Sequence, residues 1–347
     1  MISGRSIRVA IVDDSLFFRE FLTHALIRDR SIEVVGSFGD PAEAQRLLPE
    51  LNPDVLAVDM EMPNMRGPEF LKAILPKLPQ ATAVVISALS SNVFEALSAG
   101  AVDFVSKPNT RPNYSNSDFS REIVLKIKIA ATAKAFKRPS ASSPMAAKTT
   151  NPAIRTATSR NIIAIGASTG GTEAILEVVK TFPANMPGTV IVQHMPPVFT
   201  DMYAQRINKI CKMSAKEAKN GDRVSEGLIL VAPGDKHMQL ARDSQGYYVR
   251  CFGEKKVSGH CPSVDVLFDS VAVVAKSDAV GVMLTGMGAD GAKGLLNIRQ
   301  AGGHTFGQDQ ESCVVYGMPM VAYNIGGVSE QLPLSHIGEA IMRRFSR

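Results

Sequence analysis

Short apolar runs alternate with helix-length amphipathic stretches through both halves of this 347-residue chain, and that alternation constrains the fold more than any other feature. In the first half, "IRVAIVDD", "IEVVGSF", "PDVLAVDM", "ATAVVISA" and "AVDFVSKP" are β-rich runs bounded by turns. Stretches such as "SLFFREFLTHALIRD" and "PAEAQRLLPEL" between them have helical spacing. Strands separated by helices cannot pair as tight hairpins, so they form a parallel, doubly wound α/β sheet, here of five strands. In the second half "NIIAIGA", "GTVIVQH" and "AVGVMLTG" repeat the pattern and predict a second parallel sheet. Between the last two, "LILVAPGDKHMQLARDSQGYYVRCF" reads as antiparallel hairpin material. No short-period repeat is present.

Residues 137–160 interrupt the alternation. They hold Lys137, Arg138, Lys148, Arg155 and Arg160, no acidic residue, and Pro139, Pro144 and Pro152 among many Ser, Thr and Ala. That composition predicts a flexible basic linker between a domain at 1–136 and one at 161–347. The five cations equal the formal net charge of +5, so the remainder is neutral and offers no basic recognition face. No nucleic-acid partner is therefore expected. No apolar run approaches the roughly 18 residues of a membrane span. Met1 to Asp14 runs into two aspartates without a cleavage region, which predicts a cytoplasmic protein. Cys211, Cys251, Cys261 and Cys313 have no C-x-x-C spacing, so reduced, buried thiols are expected rather than disulfides or zinc.

Ligands of doubly wound sheets gather at the carboxyl ends of the strands. In the first domain Asp13 and Asp14 end the first strand, Asp59 the third, Ser87 the fourth and Lys107 the fifth. Singly, each acid or hydroxyl could be a helix cap. Together, oxygen ligands and an ammonium at one edge suit a hard cation and a phosphoryl group. Over about residues 5–136 this pattern resembles the response-regulator receiver family. The resemblance implies that Asp59 accepts a phosphoryl group from a histidine kinase. It implies Mg²⁺ on Asp13, Asp14, Asp59 and the backbone of Glu61. It also implies switch roles for Ser87 and Phe104 and phosphate sensing by Lys107.

In the second domain Gly166-Ala167-Ser168-Thr169-Gly170 fits G-x-S-x-G between a strand and a helix. Free N–H groups at that helix start suit a bound phosphate and a developing oxyanion equally, so the turn alone leaves both open. A serine nucleophile needs a base and an orienting acid. Of six histidines, only His194 directly ends an apolar strand. His24 falls in a helix, His336 near a helix start, and His237, His260 and His304 are expected in loops. Asp290 follows a third strand, where it could instead cap the next helix. Ser168, His194 and Asp290 thus lie beyond three strand ends, in an order that is not that of an α/β-hydrolase.

The set "GASTGG", "QHMP", "VAPGDKHM", "PSVDVLF" and "LTGMGADGAKG" behind a receiver and a basic linker is similar to the chemotaxis protein-glutamate methylesterase (CheB) family across essentially the whole chain. The resemblance implies a serine hydrolase of glutamate γ-methyl esters, and of glutamine amides, on chemoreceptors, with the chemotaxis histidine kinase CheA as phosphodonor to Asp59. Ser168 would be the nucleophile, His194 the general base, Asp290 its orienting acid, Thr169 an active-site threonine and the Met287 amide an oxyanion donor. No cofactor is implied in this domain. Cys261, where relatives often carry a basic residue, and Ala289 depart from the pattern.

Two other functions compete: a receiver-linked transcription factor, and a non-catalytic adaptor. Neither accounts for three reactive residues at three strand ends, and the second half is far larger than a helix-turn-helix module. A monomer is expected. A 24-residue tether reaches about 25–30 Å, enough for an unphosphorylated receiver to occlude Ser168 until Asp59 is phosphorylated.

Overall fold

Parallel strands covered by helices on both faces have no wet side, and their sequences read as unbroken apolar runs. The computed structural model, which describes residues 5–88, 93–108, 114–133 and 160–345, follows that rule. The chain divides into two units, Met1–Ser140 and Ala141–Arg347. The linker expected over 137–160 lies outside the described residues apart from Arg160.

The first unit runs β1 (Ile7–Val12), α1 (Leu16–Ile27), β2 (Ile32–Phe38), α2 (Pro41–Leu51), β3 (Val55–Asp59), α3 (Gly67–Ile74), β4 (Thr82–Ser87), α4 (Val93–Ser98), β5 (Asp103–Ser106) and α5 (Asn116–Thr132). All residues of β3 and β4 are buried. Helix starts are set locally. Ser15 Oγ accepts from the Phe18 N–H at α1, and Asp40 caps α2 ahead of Pro41. Ser115 and Asp118 form a capping box at α5. The five strands are all parallel, as the sequence predicts, and lie in the order β2-β1-β3-β4-β5. Its order reverses between β1 and β3, the crevice where such sheets bind ligands.

The second unit runs β6 (Ile162–Ala167), α6 (Gly171–Val179), β7 (Thr189–Gln193), α7 (Phe199–Ile210), β8 (Ser214–Glu217), β9 (Leu228–Val231), β10 (His237–Asp243), β11 (Gly246–Phe252), α8 (Val264–Ala275), β12 (Ala279–Met283), α9 (Ala292–Gln300), β13 (His304–Gln308), α10 (Met318–Asn324), β14 (Glu330–Leu332) and α11 (Leu334–Phe345). Seven strands form one parallel sheet in the order β14-β13-β12-β6-β7-β9-β8. The segment read from sequence as hairpin material divides. β9 joins the parallel sheet, and only β10 and β11 pair antiparallel, as a separate two-stranded sheet. The apolar run of β9 is fully buried beyond Leu228, which a hairpin half open to water does not require. His237 and His304, expected in loops, are the first residues of β10 and β13. The hairpin packs on α8 through Leu240 and Val249, and the Leu240 N–H donates to Ser270 Oγ at 2.9 Å.

No helix among the described residues is long and apolar enough to cross a membrane. All four cysteines are free thiols, but only Cys313 is buried; Cys211, Cys251 and Cys261 are half-buried, against the burial expected of them.

Candidate functional sites

At the receiver crevice, ligand oxygens of Asp13, Asp14 and Asp59 lie within 4.8 Å of one another. Lys107 Nζ reaches Asp13 Oδ2 at 3.1 Å and Asp59 Oδ1 at 3.0 Å. Burial pushes the Asp59 carboxyl up to about 6; Lys107 opposes the rise and Asp13 adds to it. Burial disfavours the charged Lys107 as well, but Asp59 and Asp13 outweigh it and raise its pKa. A converging set of carboxylate oxygens, one of them on an Asp59 that burial makes costly to ionise, fits a small hard cation such as Mg²⁺. Glu61 follows just past β3 and is exposed, Ser87 is buried at the end of β4, and Ser87 O accepts the Lys107 N–H at 2.7 Å. Phe104 is buried in β5, with Lys126 Nζ 5.5 Å from its ring centroid.

In the second unit β6 lies between β7 and β12, and register does the assembling. Ala167 pairs with Gln193, so Ser168 and His194 are the next positions on adjacent strands, which run about 4.8 Å apart. The His194 N–H donates to Ala167 O at 3.3 Å. On the other side Gly166 pairs with Met283, and the Ser168 N–H donates to Thr285 O at 3.0 Å. The nucleophile turn therefore lies between the other two strand ends. Gln193, which residue-level reading passed over, sends its Nε2–H to Ser168 O at 2.8 Å. A Cβ on Gly171 would come 2.2 Å from Gln193 Oε1 and 2.6 Å from the Ala167 Cβ, so this close approach requires glycine. Likewise a Cβ on Gly286 would lie 2.7 Å from the Ser168 Cβ, which brings the loop after β12 against the serine. Thr169 is buried beside it, and its carbonyl accepts from Thr285 Oγ1 at 3.0 Å.

His194 Nε2–H donates to Asp290 Oδ2 at 2.8 Å. Its Nδ1 is buried and has no hydrogen-bond partner among the described residues. Nδ1 is then the nitrogen whose lone pair can take a proton. No hydrogen bond joins Ser168 Oγ to His194 here, as is common before a substrate tightens such sites. Asp290 does not cap α9, whose N-cap is Gly291. It faces the N-terminus of α8 instead. Its Oδ1 accepts from Ser263 Oγ at 2.7 Å and the Asp265 N–H at 3.1 Å, and its Oδ2 from the Val264 N–H at 2.7 Å. Burial alone would raise this carboxyl, but the His194 imidazole, Ser263 and the Val264 N–H outweigh it and lower its pKa. A carboxylate so held stays ionised and stabilises an imidazolium without taking its proton. The Met287 N–H makes no hydrogen bond among the described residues, and the Met287 side chain is exposed.

His237 is unsuited to be the base. Its Nδ1 accepts the Ser263 N–H at 3.2 Å and its Nε2–H donates to Lys255 O at 2.8 Å, so backbone occupies both nitrogens. His24 is exposed on α1, and His304 lies on β13 beside Glu330. Sequence reasoning also left out Ser263 and Asp265, whose only local signal is the S-x-D start of a helix.

Comparison with known proteins gives the family of both units. The family model for the CheB methylesterase matches residues 163–341, and that for the response regulator receiver domain matches 9–116. The chain is 50% identical over 340 residues to protein-glutamate methylesterase/protein-glutamine glutaminase 2 of Syntrophomonas wolfei, covering 98% of each. It is 45% identical over 344 residues to the protein-glutamate methylesterase/protein-glutamine glutaminase of Salmonella typhimurium, covering 98% of this chain and 97% of that one. The crystal structure of the Thermotoga maritima CheB methylesterase catalytic domain matches at TM-score 0.52 and 36% identity, over 53% of this chain and 98% of that one. A family match across the second sheet, joined to relatives that share both domains along nearly their full length, means that this chain belongs to the CheB methylesterase family, with a receiver domain ahead of the methylesterase domain.

Proposed function

We propose that residues 161–347 form a hydrolase that removes methyl groups from glutamate γ-methyl esters of chemoreceptors and deamidates their glutamines, under control of a receiver at 1–136 joined by a linker at 137–160. The observation that carries the chemistry is the His194–Asp290 pair with an unengaged Nδ1, one register step from Ser168. The names of the relatives supply the substrate class.

In this reading Ser168 Oγ attacks the ester carbonyl while its proton passes to His194 Nδ1. The Met287 N–H stabilises the oxyanion, with Thr169 beside it. The imidazolium returns the proton to the leaving methoxide and methanol departs; a glutamine loses ammonia instead. Water, deprotonated by His194, then cleaves the acyl-enzyme to release the glutamate and Ser168. These steps need no cofactor in the catalytic domain. Asp59 accepts the phosphoryl group from a CheA-type kinase, with Lys107 sensing it and Ser87 and Phe104 relaying the change. Asp13, Asp14, Asp59 and the Glu61 carbonyl are the groups that hold Mg²⁺, which offsets charge on the phosphoryl group when bound. The setting proposed is chemotactic adaptation by a cytoplasmic monomer.

Methanol release from methylated receptors tests the reading. Ser168→Ala, His194→Ala and Asp290→Ala should each lose nearly all turnover while keeping the fold. Because such residues act as a unit, Ser168→Ala/His194→Ala should be hardly worse than either single variant. Wild-type turnover in His194→Ala refutes the base assignment.

A further inference from the structure

The imidazole of His260 lies flat on that of His194, with ring centroids 3.7 Å apart and planes 6° from parallel. The bond to Cβ and the hydrogen bond to Asp290 hold two points of the His194 ring and leave its plane free to turn about the line that joins them. A parallel ring against its face removes the tilt, and the direction of the Nδ1 lone pair is then determined. We infer that His260 is a positioning residue for the general base: it holds the plane of His194 so that Nδ1 faces the Ser168 hydroxyl. This inference rests on the Ser168–His194–Asp290 reading above.

The loop carrying His260 is built to keep the ring in place. Val257 and His260 exchange backbone hydrogen bonds of 3.0 and 2.9 Å across Ser258 and Gly259, whose φ values of 53° and 84° make a tight two-residue turn. Ser258 Oγ donates to Asp265 Oδ2 at 3.3 Å. His237 ties down Lys255 and Ser263 on either side of the turn. The same segment ends in Ser263, Val264 and Asp265, the donors to Asp290. Both partners of His194, the ring on its face and the acid at its edge, are thus referred to one rigid piece of chain.

The test is kcat and KM of methanol release for the full chain, with His260→Ala and His260→Phe beside Ser168→Ala. His260→Ala frees the ring to tilt, and kcat should fall roughly 10–100-fold with KM near wild type. His260→Phe restores a flat ring against His194 and should recover most of kcat. A loss confined to kcat and recovered by a flat, uncharged ring is a pattern that a purely structural role does not produce. If Ser168→Ala is inactive, then wild-type kcat in His260→Ala, or a His260→Phe no better than His260→Ala, overturns this inference alone. Activity surviving in Ser168→Ala overturns the reading beneath it.

Discussion

Asp59→Asn should stabilise the receiver unit when no Mg²⁺ is present. Asp59 is only 4% exposed, and burial, against the opposing pull of Lys107, raises its carboxyl from the ordinary 3.8 to about 6. That rise corresponds to about 3 kcal/mol of folding free energy withheld at pH 7.5, at ~1.36 kcal/mol per tenfold change in proton affinity. The direction follows from proton counting. Between 3.8 and 6 the folded state holds a proton that the unfolded state has released, so wild-type stability falls as pH rises through that window. Asparagine has no charge to bury, so the advantage of the variant is full above pH 6 and disappears below about 4. For a unit of this size, losing ~2.1 cal/mol/K of entropy per residue on folding, 3 kcal/mol is a Tm increase on the order of 10 °C. Calorimetry of the full chain in EDTA measures it, with the receiver transition identified as the one that moves when Mg²⁺ is added to wild type. Mg²⁺ should narrow the gap by stabilising wild type more than the variant. An Asp59→Asn transition at or below wild type at pH 7.5, or a gap of the same size at pH 4, would refute the view that Asp59 is held ionised at a cost that a cation relieves.

Gly171→Ala places a Cβ 2.2 Å from Gln193 Oε1 and should cost about 1–3 kcal/mol in urea unfolding, with most of the esterase activity, because the turn holding Ser168 must shift. Asp290→Asn presents an N–H₂ to groups that are all donors, and should lower kcat by roughly 10³–10⁴-fold in methanol-release assays. Asp59→Asn should abolish stimulation of the esterase by a small phosphodonor. A 155–347 fragment should turn over faster than the unphosphorylated full chain, and a fragment no faster than the resting protein rules out inhibition by the receiver.

Both sites are legible in sequence through their strand ends, and illegible where loops supply the contacts. The receiver acids could be read because Asp13, Asp14, Asp59, Ser87 and Lys107 each stand at the end of an apolar run, and in a parallel sheet all such ends share one edge. Ser168, His194 and Asp290 were legible for the same reason. Asp290 was ambiguous because an acid before a helix is so often its cap; in the folded chain it caps a different helix, 26 residues earlier at Val264. β9 was misread because "LILV" is short, and an apolar run of that length suits a hairpin as well as a buried parallel strand. His260 left no trace, since a loop has no period and nothing in "VSGHCPS" indicates what the ring will touch.

The local pattern of residues therefore determined the class of sheet, the direction of its strands and the edge where reactive groups collect, because side-chain period and turn chemistry act over a few residues. Lateral order is a different matter. That β12 returns to the far side of β6, bringing Asp290 within 2.8 Å of a histidine 96 residues away, depends on how helices pack over the whole sheet. So do the α8 N-terminus that keeps Asp290 charged and the His260 ring stacked on His194. These contacts join segments whose sequences do not refer to one another, and only burial of the common core decides which of them meet.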